Sequence, residues 1–250
     1  MSEYYKIPRG SDWNYGGKNF KLSRSKIDLF IQCPRCFYLD NKLGLKRPPG
    51  FPFSLNSAVD TLFKKEFDEY RRNKQPHPIM IKYGINAIPF QHKDLDFWRD
   101  ALKGGVQYLE PSTGFLVSGA PDDIWINKEG ELIVVDYKST SKEEEIKELN
   151  KEWQDGYKRQ MEVYQWLLRK NGFKVNDTGY FVYANGRTDL PNFNNKLEFE
   201  TNLVSYTGND NWIENKLIEI KKCLDSDIIP DANIDCDECA YEKYKNKTIK

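Results

Sequence analysis

The stretch "GELIVVDYKST", Gly130 to Thr140, decides how the chain folds. Four aliphatic residues in a row, Leu132 to Val135, read as the middle of a strand buried on both faces, because a strand with one wet face would alternate. The run ends directly on Asp136 and Lys138. In extended chain, residues two apart share a face, so these two side chains project together while Tyr137 points away. A core strand that ends on a carboxylate and an ammonium is either a place where charge is used or the polar finish of an ordinary strand.

The residues on either side favour use. Upstream, "TGFLVSGAPDDIWIN" is strand-like and a turn at "KEG" joins it to the central run, which predicts an antiparallel pair. Asp122 follows Gly119 and Pro121, where the backbone is expected to bend, and pairing through the turn brings it toward Asp136. Two carboxylates converging at a strand end repel unless a divalent cation sits between them. Such a cation polarises a phosphoryl oxygen and acidifies a water, with Lys138 beside it to stabilise developing negative charge. Downstream, "NKEWQDGYKRQMEVYQWLLRKNG" predicts a helix capped by Gly172, on which Gln160 and Tyr164 share a face at i and i+4.

The remaining chain supplies the layers. "SRSKIDLFIQCPRCFYLDNKLG" predicts one helix from Ser23 or Ser25, with Ile27, Phe30 and Ile31 on one face and Gly44 as its stop. The Pro-rich "RPPGFPF" predicts a loop, and "LNSAVDTLFKKEFDEYRRNK", with apolar Leu55, Val59, Leu62, Phe63, Phe67 and Tyr70 at helical spacing, an amphipathic helix. "GYFVYANG" and "KLEFETNLVSYTG" read as strands and "DNWIENKLIEIKKCLDSD" as a final helix. The order helix, strands, helix, strands, helix predicts an α/β protein whose sheet is packed between helices. Residues 1–22 are polar and read as a loose arm, and 23–250 as one domain that includes the cysteine-bearing termini.

Taken in order from Gly119 to Tyr164, G-x-x-D, a hydrophobic strand ending in D-x-K, and Q-x-x-x-Y resemble the PD-(D/E)XK nuclease superfamily, in particular its RecB-like branch, which includes CRISPR-associated exonucleases. The resemblance implies a restriction-endonuclease-like core with a central mixed β-sheet flanked by helices. It implies Asp122 and Asp136 as ligands of Mg²⁺ or Mn²⁺, the Tyr137 carbonyl completing the metal shell, and Lys138 as the catalytic lysine. By the same resemblance Gln160 and Tyr164 organise the site or touch DNA. Where relatives often carry a histidine ligand on the preceding helix, this chain has Asp60, an oxygen donor suited to hard cations, or else a solvated helix residue. His77 and His92 read as non-catalytic.

Four of the five cysteines form two C-x-x-C pairs, Cys33 with Cys36 and Cys236 with Cys239. Together they offer four thiolates to one metal or cluster and would staple the two ends of the chain. Separate buried pairs and a redox dithiol are the alternatives. RecB-like nucleases with an iron–sulfur cluster hold it between an N-terminal cysteine and a C-terminal group, so the resemblance implies a 4Fe–4S cluster, with Zn²⁺ the alternative for four cysteines. The division here is two and two where those relatives have one and three. Cys223 reads as an ordinary packed cysteine beside Ile220 and Leu224.

Lys plus Arg and Asp plus Glu are both 38, so no net field draws the chain to a polyanion and phosphates must meet local groups. Lys42, Lys46 and Arg47 are candidates, as are the pairs Lys64, Lys65 and Arg71, Arg72, with Tyr38 or Phe51 able to stack on unpaired bases. The N-terminus lacks a signal-peptide pattern and no apolar run is long enough to span a membrane, which places the expected location in the cytoplasm. The expected function is a metal-dependent deoxyribonuclease, an exonuclease or end-trimming enzyme of repair, recombination or defence. Its expected substrate is DNA that is single-stranded or has ends, and its expected partners are a helicase or CRISPR adaptation proteins. A non-catalytic nucleic-acid-binding or assembly module of the same fold is the alternative.

Overall fold

A computed structural model of the chain describes residues 9–48, 50, 54–144 and 146–249. In chain order its strands are β1 (Leu22–Ser23), β2 (Ala87–Pro89), β3 (Val106–Leu109), β4 (Leu116–Gly119), β5 (Asp123–Asn127), β6 (Leu132–Thr140), β7 (Thr178–Gly186) and β8 (Phe199–Thr207). The helices are α1 (Arg24–Gln32), α2 (Pro34–Asn41), α3 (Ser54–Asn73), α4 (Pro78–Lys82), α5 (Leu95–Trp98), α6 (Asp155–Lys170), α7 (Ile213–Asp225) and α8 (Asp237–Thr248). Two compact units result, one drawn from Phe51–Tyr108 and Gly119–Asp210, the other from Met1–Gly50, Leu109–Ser118 and Asn211–Lys250.

The first unit is built on a mixed sheet of order β2-β5-β6-β7-β8, in which β6 and β7 are parallel and the other neighbours antiparallel. A parallel pair needs a long crossover, and α6 lies on that connection. Leu132 to Val135 are all buried, as a strand covered on both faces requires. The parity of β6 assigns the faces. Ile133, Val135 and Tyr137 join Phe63 and Phe67 of α3, Met80 of α4 and Trp125 in one apolar cluster. The even-numbered residues face α6, which lies so close to β7 that a Cβ on Gly179 would sit 2.3 Å from the Met161 sulfur.

The expected long strand before the "KEG" turn is two strands. β4 stops at Gly119 and pairs in parallel with β1, whereas β5 starts at Asp123 and pairs with β6. Pro121 between them has no N–H to give to a ladder. The elements β2, β3, α4, α5 and α8 lie where the sequence offered no periodic signal.

In the second unit α1, α2 and α7 bury Ile27, Phe37, Leu217, Ile220 and Leu224 completely or nearly so. The single helix expected from Ser23 to Gly44 is broken at Cys33, whose backbone is extended (φ −161°, ψ 107°) because Pro34 follows it. Ser23 rather than Ser25 caps α1, accepting from the Lys26 N–H. Of the arm expected at 1–22, residues 1–8 lie outside the described residues. The rest is held down: Arg9 pairs with Asp40 at 3.0 Å, the Tyr15 N–H donates to the Asn41 carbonyl at 2.7 Å, and Leu22 is fully buried. Among the described residues no helix is long and apolar enough to cross a membrane.

Candidate active site and metal centre

The strand pairing places the acids. β5 and β6 pair with Asp123 opposite Val135, so one step further along the ladder sets Asp122 against Asp136. Asp122 closes that end by accepting the Tyr137 N–H on its Oδ2 at 2.8 Å. Asp136 is fully buried; its Oδ2 pairs with Lys138 Nζ, and its Oδ1 is buried with no hydrogen-bond partner among the described residues. The Lys138 ammonium stands 4.4 Å from the centre of the Tyr157 ring and 5.9 Å from that of Phe181. From α3, Lys64 reaches Asp60 Oδ2 at 2.9 Å and Asp122 Oδ1 at 3.9 Å. Burial and then the charge of Asp136 push the Asp122 carboxyl up to about 8, against the opposing pull of Lys138 and Lys64.

The next residue along, Asp123, points to the opposite face of the sheet. It is fully buried, accepts the Tyr137 hydroxyl at 3.0 Å and pairs with Arg71, which also pairs with Asp68 and donates its Nε to the Phe90 carbonyl at 2.7 Å. Arg99 grips Asp68 from the other side at 2.9 Å. This chain of alternating charge braces α3 against β5, which starts at Asp123, and β6, which carries Asp136. Removing one member of such a buried pair typically costs about 3–5 kcal/mol, since the other is left charged and alone.

Gln160 and Tyr164 meet on α6, the Gln160 amide donating to the Tyr164 hydroxyl at 3.0 Å. The Tyr164 ring occupies the space a side chain at position 119 would need, since a Cβ there would lie 2.7 Å from the ring. That contact explains the glycine of G-x-x-D.

The structure thus gathers Asp60, Asp122, Asp136 and Lys138 at one end of the sheet. It adds Lys64 and Tyr157, which the sequence reading did not place in the site. Tyr157 had a signal: it stands three residues before Gln160 and seven before Tyr164, on the same helical face. Other expected contacts have intramolecular uses. Arg71 is in the buried network, Lys42 reaches the Ser226 carbonyl at 2.6 Å and Asp227 at 3.1 Å, and Tyr38 is a core residue whose hydroxyl donates to the Ser226 carbonyl. Lys46, Lys65 and Arg72 are exposed, and Phe51 lies outside the described residues. His77 caps α4 by accepting the Ile79 N–H, and His92 stacks on Trp98.

The donors fit a hard divalent cation. Asp122 in the Ala120–Asp122 bend and Asp136 on β6 offer oxygen donors of the kind such a cation takes, and the orphaned Asp136 Oδ1 costs about 1–3 kcal/mol as a buried acceptor unless something positive meets it.

The second cluster lies in the other unit. Cys33 and Cys36 are the N-cap and third residue of α2, and Cys236 and Cys239 hold the same two positions on α8. Sulfur separations are 3.8 Å for Cys33 to Cys239, 3.6 Å for Cys36 to Cys236 and 3.4 Å for Cys36 to Cys239, and all four sulfurs lie within 4.8 Å of one another. Arg47 donates to Cys236 Sγ at 3.4 Å. Burial raises the Cys33 thiol, but the N–H groups of Cys36 and Asn233 outweigh it and bring it down to about 7; burial holds Cys36 up at about 11. Cys223 is on α7, outside the cluster.

A mixed sheet with helices on both faces, two carboxylates and a lysine at the ends of adjoining strands, and a supporting helix behind them define a restriction-endonuclease-like core. The family model of the PD-(D/E)XK nuclease superfamily matches residues 21–244, and the chain belongs to that superfamily. Members are in general hydrolytic nucleases that use divalent metals. No curated protein matches the chain.

Proposed function

We propose that the chain is a divalent-metal-dependent deoxyribonuclease that trims DNA from its ends, in repair, recombination or defence. The observation that carries the reading is Asp136: a fully buried carboxylate, half of it without a donor, beside Asp122 and Lys138. Asp122, Asp136, the Tyr137 main-chain carbonyl and Asp60 would hold Mg²⁺ or Mn²⁺. Bound there, the cation supplies Lewis acidity toward a phosphoryl oxygen and a more acidic water.

The chain's own groups do the rest. Lys138 carries its positive charge at the reacting end of the site, held between Asp136 and the Tyr157 ring, where it stabilises negative charge that grows on the attacked phosphate. Tyr137 sets Asp122 through its N–H and is itself fixed through its hydroxyl by Asp123 and Arg71. The Gln160–Tyr164 pair fixes the bend before Asp122 by filling the space beside Gly119. With no net charge to steer the substrate, exposed Lys46, Lys65 and Arg72 offer phosphate contacts that read no sequence. A helicase or CRISPR adaptation proteins as partners, and a cytoplasmic location, belong to the same proposal and are supported by the motif resemblance.

Linear and covalently closed circular DNA, each single- and double-stranded, test the end requirement. Products accumulating from linear molecules alone are the expected result. Rapid cutting of circles would contradict end trimming while leaving the nuclease assignment intact.

A further inference from the structure

The family resemblance implies a 4Fe–4S cluster on the four cysteines, and the sulfur cage does not fit one. We infer that the site is built for a single tetrahedral Zn²⁺, bound by Cys33, Cys36, Cys236 and Cys239.

Size decides it. Zinc holds thiolate sulfur at about 2.3 Å, and a regular tetrahedron of that radius has an edge of about 3.8 Å. Three of the four separations between the two pairs are 3.8, 3.6 and 3.4 Å, and all four sulfurs lie within 4.8 Å of one another. In a cubane cluster each thiolate ends on a different iron and the body of the cluster stands between them, so the four sulfurs must spread well beyond the edges of a one-ion tetrahedron. Here the interior has room for one ion and none for four irons and four sulfides.

Symmetry agrees with size. Each C-x-x-C pair occupies the N-cap and third position of a helix, so both chelate arms have the same local build and present themselves to one point from two helices. Four thiolates around a dication leave two negative charges. The N-terminal ends of α2 and α8 and the Arg47 guanidinium beside Cys236 offset them. Cys33, Cys36 and Cys236 are buried, which keeps water from competing for the ion. This assignment concerns a different set of residues from the proposed nuclease site and does not depend on it.

The test is made on the full chain, produced in cells supplied with both iron and zinc and purified without air, so that a fragile cluster is not lost and replaced. We expect about one zinc per chain, as a closed four-thiolate site takes, with neither iron nor acid-labile sulfide and no brown colour. Co²⁺ exchanged into the same protein should give the intense visible absorption of a tetrahedral four-sulfur site. Cys36→Ser and Cys236→Ser should lose the metal, while Cys223→Ser and Lys138→Ala keep it. Should a cysteine variant fail to fold, the Co²⁺ spectrum of the unaltered protein still decides. Iron and sulfide in comparable amounts, lost in the same variants, would overturn the inference. So would a protein free of metal with its four thiols titratable or joined as disulfides. Because Lys138→Ala removes cleavage without touching the cysteines, failure of the zinc assignment and failure of the nuclease assignment appear in different measurements.

Discussion

Asp122 and Asp123 are neighbours in the chain with opposite fates. Asp123 is paid for by Arg71 and Tyr137, whereas Asp122 shares its surroundings with Asp136. Asp123→Ala should therefore destabilise the metal-free protein by about 3–5 kcal/mol. Asp122→Asn should leave it as stable or more so, since a neutral group removes a repulsion while its side-chain oxygen can still accept the Tyr137 N–H. Urea unfolding in EDTA measures both, and equal losses would contradict this division of roles. Tyr157 is a positioning residue that faces Lys138. Replacing it with Leu should cost about 1 kcal/mol of cation–π contact, roughly a fivefold loss in turnover, while Tyr157→Phe keeps most of the rate. The D-x-K pair was legible because strand parity alone puts Asp136 and Lys138 together. The role of Asp123 was not, because its partner Arg71 stands 52 residues away and nothing local announces it.

At the scale of elements, one small residue shapes the site. Gly119 makes room for Tyr164, so Gly119→Ala should cost about 1–3 kcal/mol by overpacking. Gly186→Ala, with its nearest neighbours at 3.5 Å, should change stability by less than about 0.5 kcal/mol. Thermal and urea unfolding of the two variants make the comparison, and equal effects would remove the packing explanation of the G-x-x-D glycine. The sheet was largely visible in the sequence: the aliphatic run of β6 and the apolar strands β7 and β8 carry strong patterns. What failed was local chemistry of proline. Pro34 splits the expected first helix into α1 and α2, and Pro121 separates β4 from β5. α8 was not legible for another reason, since none of its residues Asp237 to Thr248 is buried and it has no apolar stripe to find.

That last fact matters for the molecule as a whole. A twelve-residue helix without a buried face is marginal alone, so α8 owes its place chiefly to the cysteines at its start. Cys36 and Cys236 are 200 residues apart in sequence, and a metal held between them would tie the C-terminal segment to α2. Stripping that metal with a strong chelator should open the segment after Asp231 to limited proteolysis while the five-stranded sheet stays resistant. Simultaneous digestion of both would show that the staple supports the entire fold. The central claim concerns the other site. End-labelled single- and double-stranded DNA should be incubated with the protein in Mn²⁺, Mg²⁺ or EDTA, beside Lys138→Ala. We expect product with the divalent metals, none in EDTA, and a loss of at least about 100-fold in the variant, as for removal of one group that stabilises transition-state charge. Binding of DNA with no product under any metal, or equal cleavage by Lys138→Ala, would contradict it.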